Sequence, residues 1–178
     1  MLPTLTQPAS PPAPHQPDRR FGDPYLRFQL TDGVEAVLAM QKVQEVHTLP
    51  AHRLTPMPNM PGCVLGLMNR RSHVIWVVDL AKVLDVASLG TNHQQYNLVI
   101  ARSGELVLAL AVPTISGFFW MPSEAIRPIQ GQLSATLETC LQGCAMYDQD
   151  ILLVLNPEAI LHSAALYASP YPTTPSTL

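Results

Sequence analysis

Three observations in the sequence predict an all-β fold with short helices. Apolar residues come in short runs that either alternate with polar ones or are apolar throughout, the patterns of half-covered and fully covered strands. Turn signals such as "TDG" and "SG" separate pairs of these runs at hairpin distance. The second half of the folded region also repeats the pattern of the first, which points to two similar β units. Helical signal is confined to short pieces, so small barrels are favoured over a helix-bearing sheet.

The elements follow in order. Residues 1–22 hold six of the 18 prolines before position 20 and almost no large apolar side chains, which predicts an extended, disordered tail. "YLRFQL" from Tyr25 alternates, "TDG" turns, and "VEAVLAM" from Val34 returns. "VIWVVDL" from Val74 is a continuous apolar run, as expected of a strand covered on both faces. "NLVIAR" from Asn97, "SG" and "ELVLALA" from Glu105 repeat the first hairpin, and "ILLVLNP" from Ile151 repeats the buried strand. A second Pro-rich tail occupies 168–178, leaving 23–167 as the folded region. Its two units, about 23–90 and 91–167, either pack side by side or exchange strands.

Composition removes several function classes. Apolar residues make up 47% and charged residues 13%, the opposite of a disordered chain. A net charge of −3 without a basic block gives no attraction to nucleic acid. The longest apolar run, Leu106 to Val112, is far short of the ~20 residues that cross a bilayer, so no direct membrane insertion is expected. The N-terminus lacks the charged and apolar regions of a secretory signal. Three cysteines, Cys63, Cys140 and Cys144, are odd in number and sparse, which fits a reduced, cytoplasmic protein.

The internal repeat assigns one conspicuous charge. "GLMNRRSHVIWVVDLAKVL" from Gly66 aligns without a gap on "GCAMYDQDILLVLNPEAIL" from Gly143. Asp79 falls opposite Asn156, each ending an apolar strand before a helical snippet, where both residue types cap. Pro157 then stands at a first helical position, where its missing N–H costs nothing. Asp79 therefore reads as an N-cap. Arg71 falls opposite Asp148, so the repeated hairpin does not itself require an arginine. In the first hairpins the alignment sets Leu26 and Phe28 opposite Leu98 and Ile100, and Glu35 opposite Glu105.

The ordered series Lys42, Val43, Glu45, Val46, then a Pro-containing loop, then Gly66, Asn69, Arg71, Val77, Asp79 and Leu80, resembles the CheW family of chemotaxis coupling proteins. "ISGFFWMPSEAIRPI" and "CLQGCAMYDQDILLVLN" resemble its later segments, so the resemblance spans Tyr25 to about Leu161. Ser72 replaces the family's Gly after the arginine, Arg70 its Leu, and Trp76 its Pro. The resemblance implies two SH3-like β-barrels packed around a joint core. It also implies a non-catalytic scaffold that bridges the cytoplasmic tips of chemoreceptors to a CheA-type histidine kinase, with no cofactor, at membrane-associated receptor arrays. A scaffold of this type in a pilus-motility or phototaxis complex is the alternative.

The resemblance and the residue chemistry single out the following candidates. Arg70 and Arg71 form either a solvated hairpin end or an interface to acidic and amide side chains of a receptor; Asn69 either holds that hairpin or contacts the partner. Val43, Glu45 and Val46 form either an edge strand with Glu45 outward or an apolar groove for a receptor helix bordered by Glu45. With Gly66 these are the receptor-binding candidates. Phe118, Phe119, Trp120 and Met121 cannot all face one core, since sides alternate, and are the kinase-binding candidates against burial between the barrels. "CLQGC" has no second Cys/His pair at zinc spacing, and the histidines are scattered. A triad of Cys63, His73 and Asp79 lacks a nucleophile elbow, so a small hydrolase is disfavoured.

Overall fold

The alternating and continuous apolar runs become ten β-strands among the residues that the computed structural model describes, 22–86, 89, 93–129, 131 and 133–167. The tails expected at 1–22 and 168–178 lie outside these, Gly22 excepted. The strands are β1 (Asp23–Thr31), β2 (Val34–Ala39), β3 (Val43–Pro50), β4 (Val64–Arg70), β5 (His73–Asp79), β6 (Gln95–Ser103), β7 (Leu106–Val112), β8 (Thr114–Met121), β9 (Leu141–Tyr147) and β10 (Asp150–Leu155). Three short helices accompany them: α1 (Leu80–Val83), α2 (Ala135–Cys140) and α3 (Pro157–Leu161).

Two curled five-stranded sheets result, in the orders β8-β1-β2-β10-β9 and β3-β6-β7-β5-β4. Neither sheet comes from one half of the chain. The hairpin β1–β2 is completed by the last three strands, and the hairpin β6–β7 by β3, β4 and β5. The exchange is sealed by two parallel pairings, β2 with β10 and β5 with β7. All other pairings are antiparallel.

This arrangement explains the continuous apolar runs. Along β5, Ile75 and Val77 point into the second sheet's own core, while Val78 points into a core shared by both sheets. Along β10, Leu152 and Val154 fill the first sheet's core and Leu155 the shared one. With both faces dry, no position along such a strand favours a polar residue.

Each curl is closed at the same place. The segment after β3 turns back, and Thr55 exchanges two 2.8 Å backbone hydrogen bonds with Leu67 on β4. In the first sheet Arg127 does the same with Cys144 on β9, at 2.7 and 2.8 Å. The crossing is close because Gly66 and Gly143 stand beneath it: a Cβ there would lie 2.4 Å from the Thr55 oxygen and 2.3 Å from the Arg127 oxygen.

The first hairpins correspond in a different register from the one read in the sequence. Leu26 and Phe28 belong to the shared core, whereas Leu98 and Ile100 fill the second barrel. Cross-strand partners set Phe28 (opposite Ala36) against Ala101 (opposite Leu108), and Tyr25 (opposite Ala39) against Leu98 (opposite Ala111). The extra residue is absorbed at Leu30, where the β1–β2 register shifts. Glu35 likewise corresponds to Val107, not Glu105. A slip of one residue exchanges the two faces of a strand, and with both faces apolar the sequence carries little mark of it.

Candidate partner interface

The charged residues in question gather at the open end of the second barrel. A bulge at the start of β3 separates Val43, paired with Ala101 of the shared core, from Glu45, paired with Ile100 of the barrel core. Without the bulge the two would share a face. As built, Val43 packs against the shared core, Glu45 turns into the barrel mouth, and Val46 faces out, 44% exposed. The edge-strand alternative, with Val43 or Val46 inward and Glu45 outward, thus holds for Val43 and not for Glu45.

β3 and β4 are opposite edges of the sheet, and the curl brings their side chains together. Arg70 on β4 donates from Nε to Glu45 Oε1 at 3.0 Å and makes a second hydrogen bond from Nη2. Arg71 Nη2 lies 3.6 Å from the other carboxylate oxygen. Arg70, mainly through its hydrogen bonds, holds the Glu45 carboxyl below the usual carboxylate range. The two arginines differ in freedom: the Arg70 side chain is 32% exposed and the Arg71 side chain 76%.

The turn explains why. Arg71 and Ser72 have φ of 49° and 66°, and their repeat counterparts Asp148 and Gln149 have 46° and 75°. Both are two-residue hairpin turns with two left-handed residues, which lift the first side chain off the end of the hairpin. Behind it lies an open groove of about 750 Å³. Ile75, Ile100 and Val107 supply apolar walls, and Arg102 with Glu105, 3.8 Å apart, extends the charged rim. Those last two sit more than 30 residues beyond Glu45, Arg70 and Arg71 in sequence, and nothing in their own hairpin marks them.

The remaining candidates divide. Asn69 is exposed on the outer face of β4, opposite Val74, and does not line the groove. Gly66 is buried and works through the backbone crossing. On β8 the alternation is complete. Phe119 and Met121 are buried at 5% and 4%, with Phe119 stacked 4.5 Å from the Tyr147 ring of β9. Phe118, 61% exposed, and the half-buried Trp120 lie on the other face of the strand, and their rings meet edge to face at 5.5 Å.

The first barrel's mouth is built differently. Arg27 of β1 pairs with Glu35 and, at 2.7 Å, with Asp150, and its guanidinium lies 5.7 Å from the centre of the Tyr147 ring. Ser116 adds a 3.1 Å hydrogen bond to Glu35. Here both cationic and anionic groups are consumed internally. A row of apolar residues, Val34, Ile151 and Met146, lies exposed across β2, β10 and β9, with Ile151 directly opposite Met146.

No triad is assembled from Cys63, His73 and Asp79. His73 and Asp79 stand at opposite ends of β5, ~20 Å apart at the usual rise of a strand. Cys63 is buried, its thiol pushed up mainly by desolvation, and donates to the Ala165 carbonyl at 3.3 Å. Asp79 caps α1 through Oδ1 to the Lys82 amide at 3.3 Å. Among the described residues no three His, Cys, Asp or Glu side chains converge as a metal site, and no helix is long and apolar enough to cross a membrane.

Comparison with known proteins places this geometry. A family model described as a CheW-like domain matches residues 24–165. A probable chemotaxis protein CheW of Rhizobium etli is 26% identical over 107 residues, covering 60% of this chain and 68% of that one. The crystal structure of a scaffolding protein, TtCheW from Thermoanaerobacter tengcongensis, superposes with a TM-score of 0.65 at 19% identity, covering 76% of this chain and 90% of that one.

Proposed function

The chain belongs to the CheW-like domain family, and on that premise we propose that it is a non-catalytic adaptor that couples methyl-accepting chemoreceptors to a CheA-type histidine kinase. Its place is then the cytoplasmic face of receptor arrays.

The observation that supports this most is the division of labour between the two arginines. Arg70 already engages Glu45 with two hydrogen bonds, so the carboxylate does not need Arg71. That leaves the planar fork of Arg71, 76% exposed, directed at a groove with apolar walls. A receptor tip is a helical hairpin with acidic and amide side chains, and an amphipathic helix seats its apolar face in such a groove while a carboxylate meets the fork. Val46 and Asn69 border this end from the outer face of the sheet, while Val43 anchors the start of β3 against the shared core. The kinase is assigned to the other sheet, at Phe118 and Trp120. Holding both partners on one rigid body raises their effective concentration and fixes their mutual geometry.

The test is a paired titration of the wild type and Arg71→Glu against a receptor tip and against the kinase regulatory domain. The expected result is receptor affinity lowered at least about tenfold, because like charge then faces an acidic partner. Kinase affinity is expected to be unchanged. Equal receptor affinities remove Arg71 from the interface.

A further inference from the structure

The two barrels repeat one design, so their mouths can be compared position by position. Val37, the partner of Val154 on β10, corresponds to Ala109, the partner of Val77 on β5. Their antiparallel partners, Arg27 and Ile100, therefore correspond as well. Glu35 corresponds to Val107 in the same register. On the edge strands, Gly117 opposite Arg27 corresponds to Glu45 opposite Ile100. At the hairpin ends, Tyr147 corresponds to Arg70 and Asp150 to His73.

The same positions are filled with opposite chemistry. In the first barrel Arg27 and Glu35 hydrogen-bond to each other on the inner strands, and Asp150 and Ser116 hold them from beside. Together they plug that mouth. In the second barrel the two inner positions are Ile100 and Val107, which pack on the barrel core. An isoleucine and a valine are shorter than the ion pair they replace and make no bond across the opening. The ion pair of this barrel, Glu45 with Arg70, stands instead on the two edge strands. The plug is therefore missing from the mouth where the groove of about 750 Å³ lies.

We infer that the second barrel's mouth is a socket for one large apolar side chain of the chemoreceptor tip, and that Ile100 and Val107 are the residues that make it one. The partner's identity rests on the proposed function; the socket rests on the comparison of the barrels. Its floor of Ile75, Ile100 and Val107 is apolar, so a polar insert would lose its water without gaining a hydrogen bond there. The rim carries three arginines and two glutamates, an excess of one cation. Arg70 is taken by Glu45, and Arg102 gives Nε to the Gly104 carbonyl at 2.6 Å and lies 3.8 Å from Glu105. That leaves Arg71 to meet an anion. Residues one turn apart on a helix share a face, ~5–6 Å from each other. An acidic, amphipathic helix can therefore set an apolar side chain in the socket and a carboxylate at the rim together. A basic helix would meet like charge, and the plugged mouth of the first barrel offers no floor to either.

The experiment titrates the full chain with the cytoplasmic tip of a methyl-accepting chemoreceptor, produced as a helical hairpin. Two variants fill the socket. Ile100→Arg with Val107→Glu transplants the plug of the first barrel, and Val107→Phe fills the space without charge. Each, melting cooperatively, is expected to bind the tip at least about tenfold more weakly than the wild type. In the wild type labelled at isoleucine methyls, the tip is expected to shift Ile75 and Ile100 and to leave Ile151, on the other sheet, in place. A folded, filled variant with wild-type affinity overturns the inference. So does a tip-bound spectrum in which Ile75 and Ile100 do not move, and that spectrum decides alone if neither variant folds. Arg71→Glu separates this inference from the adaptor reading. If it weakens binding while the filled variants do not, the reading stands and the socket falls. If the filled variants weaken binding and Arg71→Glu does not, the socket stands and Arg71 leaves the interface. A tip that does not bind the wild type overturns both.

Discussion

At Asp79 a single carboxylate does two jobs. Oδ1 accepts from the Lys82 amide at 3.3 Å as a helix cap, and Oδ2 accepts from the Leu89 amide at 2.9 Å, tying down the chain beyond α1. Its counterpart Asn156 needs only one oxygen, since Oδ1 serves both Glu158 and Ala159. Asn in place of Asp79 therefore supplies one acceptor where two are used, and its amide nitrogen faces a donor. Asp79→Asn is expected to destabilise by ~1–2 kcal/mol, close to Asp79→Ala, because a buried donor left unpaired costs about that much. Urea denaturation of the two variants checks this; a near-neutral Asn variant would mean that capping alone is at stake. Glycines give a second contrast. Gly66→Ala combines a φ of +148° with a Cβ at 2.4 Å from the Thr55 oxygen, whereas Gly104→Ala has a φ of +59° and open space. The expected loss is more than ~2 kcal/mol at Gly66 and ~1 kcal/mol at Gly104, read from the same denaturation curves.

The two barrels close their side-chain seams with different chemistry. In the second, Glu45 on one edge strand meets Arg70 on the other; in the first, Phe119 meets Tyr147. The ionic seam responds to pH. Because Arg70 lowers the folded-state pKa of Glu45, the pairing contributes fully above the ordinary carboxylate range and is lost as pH falls through the lowered value. Glu158, held down by Lys42 at 2.8 Å, behaves the same way on α3. The stability gap between the wild type and Glu45→Gln is expected to be constant from about pH 6 to 8 and to close below ~4.3. Thermal melts across that range decide it; a gap that persists at low pH would leave the carboxylate's charge without a part in it. Arg71→Glu, one turn residue further on, is expected to move the melting free energy by no more than roughly half a kcal/mol, since the side chain is mostly in solvent.

Over the whole molecule, the exchange of strands makes the halves interdependent. A fragment ending near residue 86 keeps β1 and β2 without the strands that flank them, and β3 to β5 without β6 and β7 between them. The shared core draws on residues from Leu26 to Leu161. Neither half expressed alone is expected to show a cooperative unfolding transition, while the intact chain is expected to unfold in one. Calorimetry of the chain and of its two halves tests both statements, and a half that melts cooperatively by itself would show that the exchanged strands are dispensable to it.

How much of this was legible in the sequence follows from the range of the interactions. Strand runs, hairpin turns and the caps at Asp79 and Asn156 depend on neighbours a few residues away, and the sequence alone determined them. The repeated Gly66 and Gly143 segments were also legible, because their polar and glycine positions mark the register. The first hairpins carry apolar residues on both faces, so their true correspondence and the bulge at Leu30 were invisible until the cores were seen. The tertiary structure alone decided which halves of the chain share a sheet, since parallel pairing of β2 with β10 joins segments more than a hundred residues apart. It also decided that Glu45 belongs to Arg70, and that Phe118 and Trp120 face out while Phe119 and Met121 face in. Alternation along a strand says that neighbours part company; only what covers each face says which of them is left for a partner.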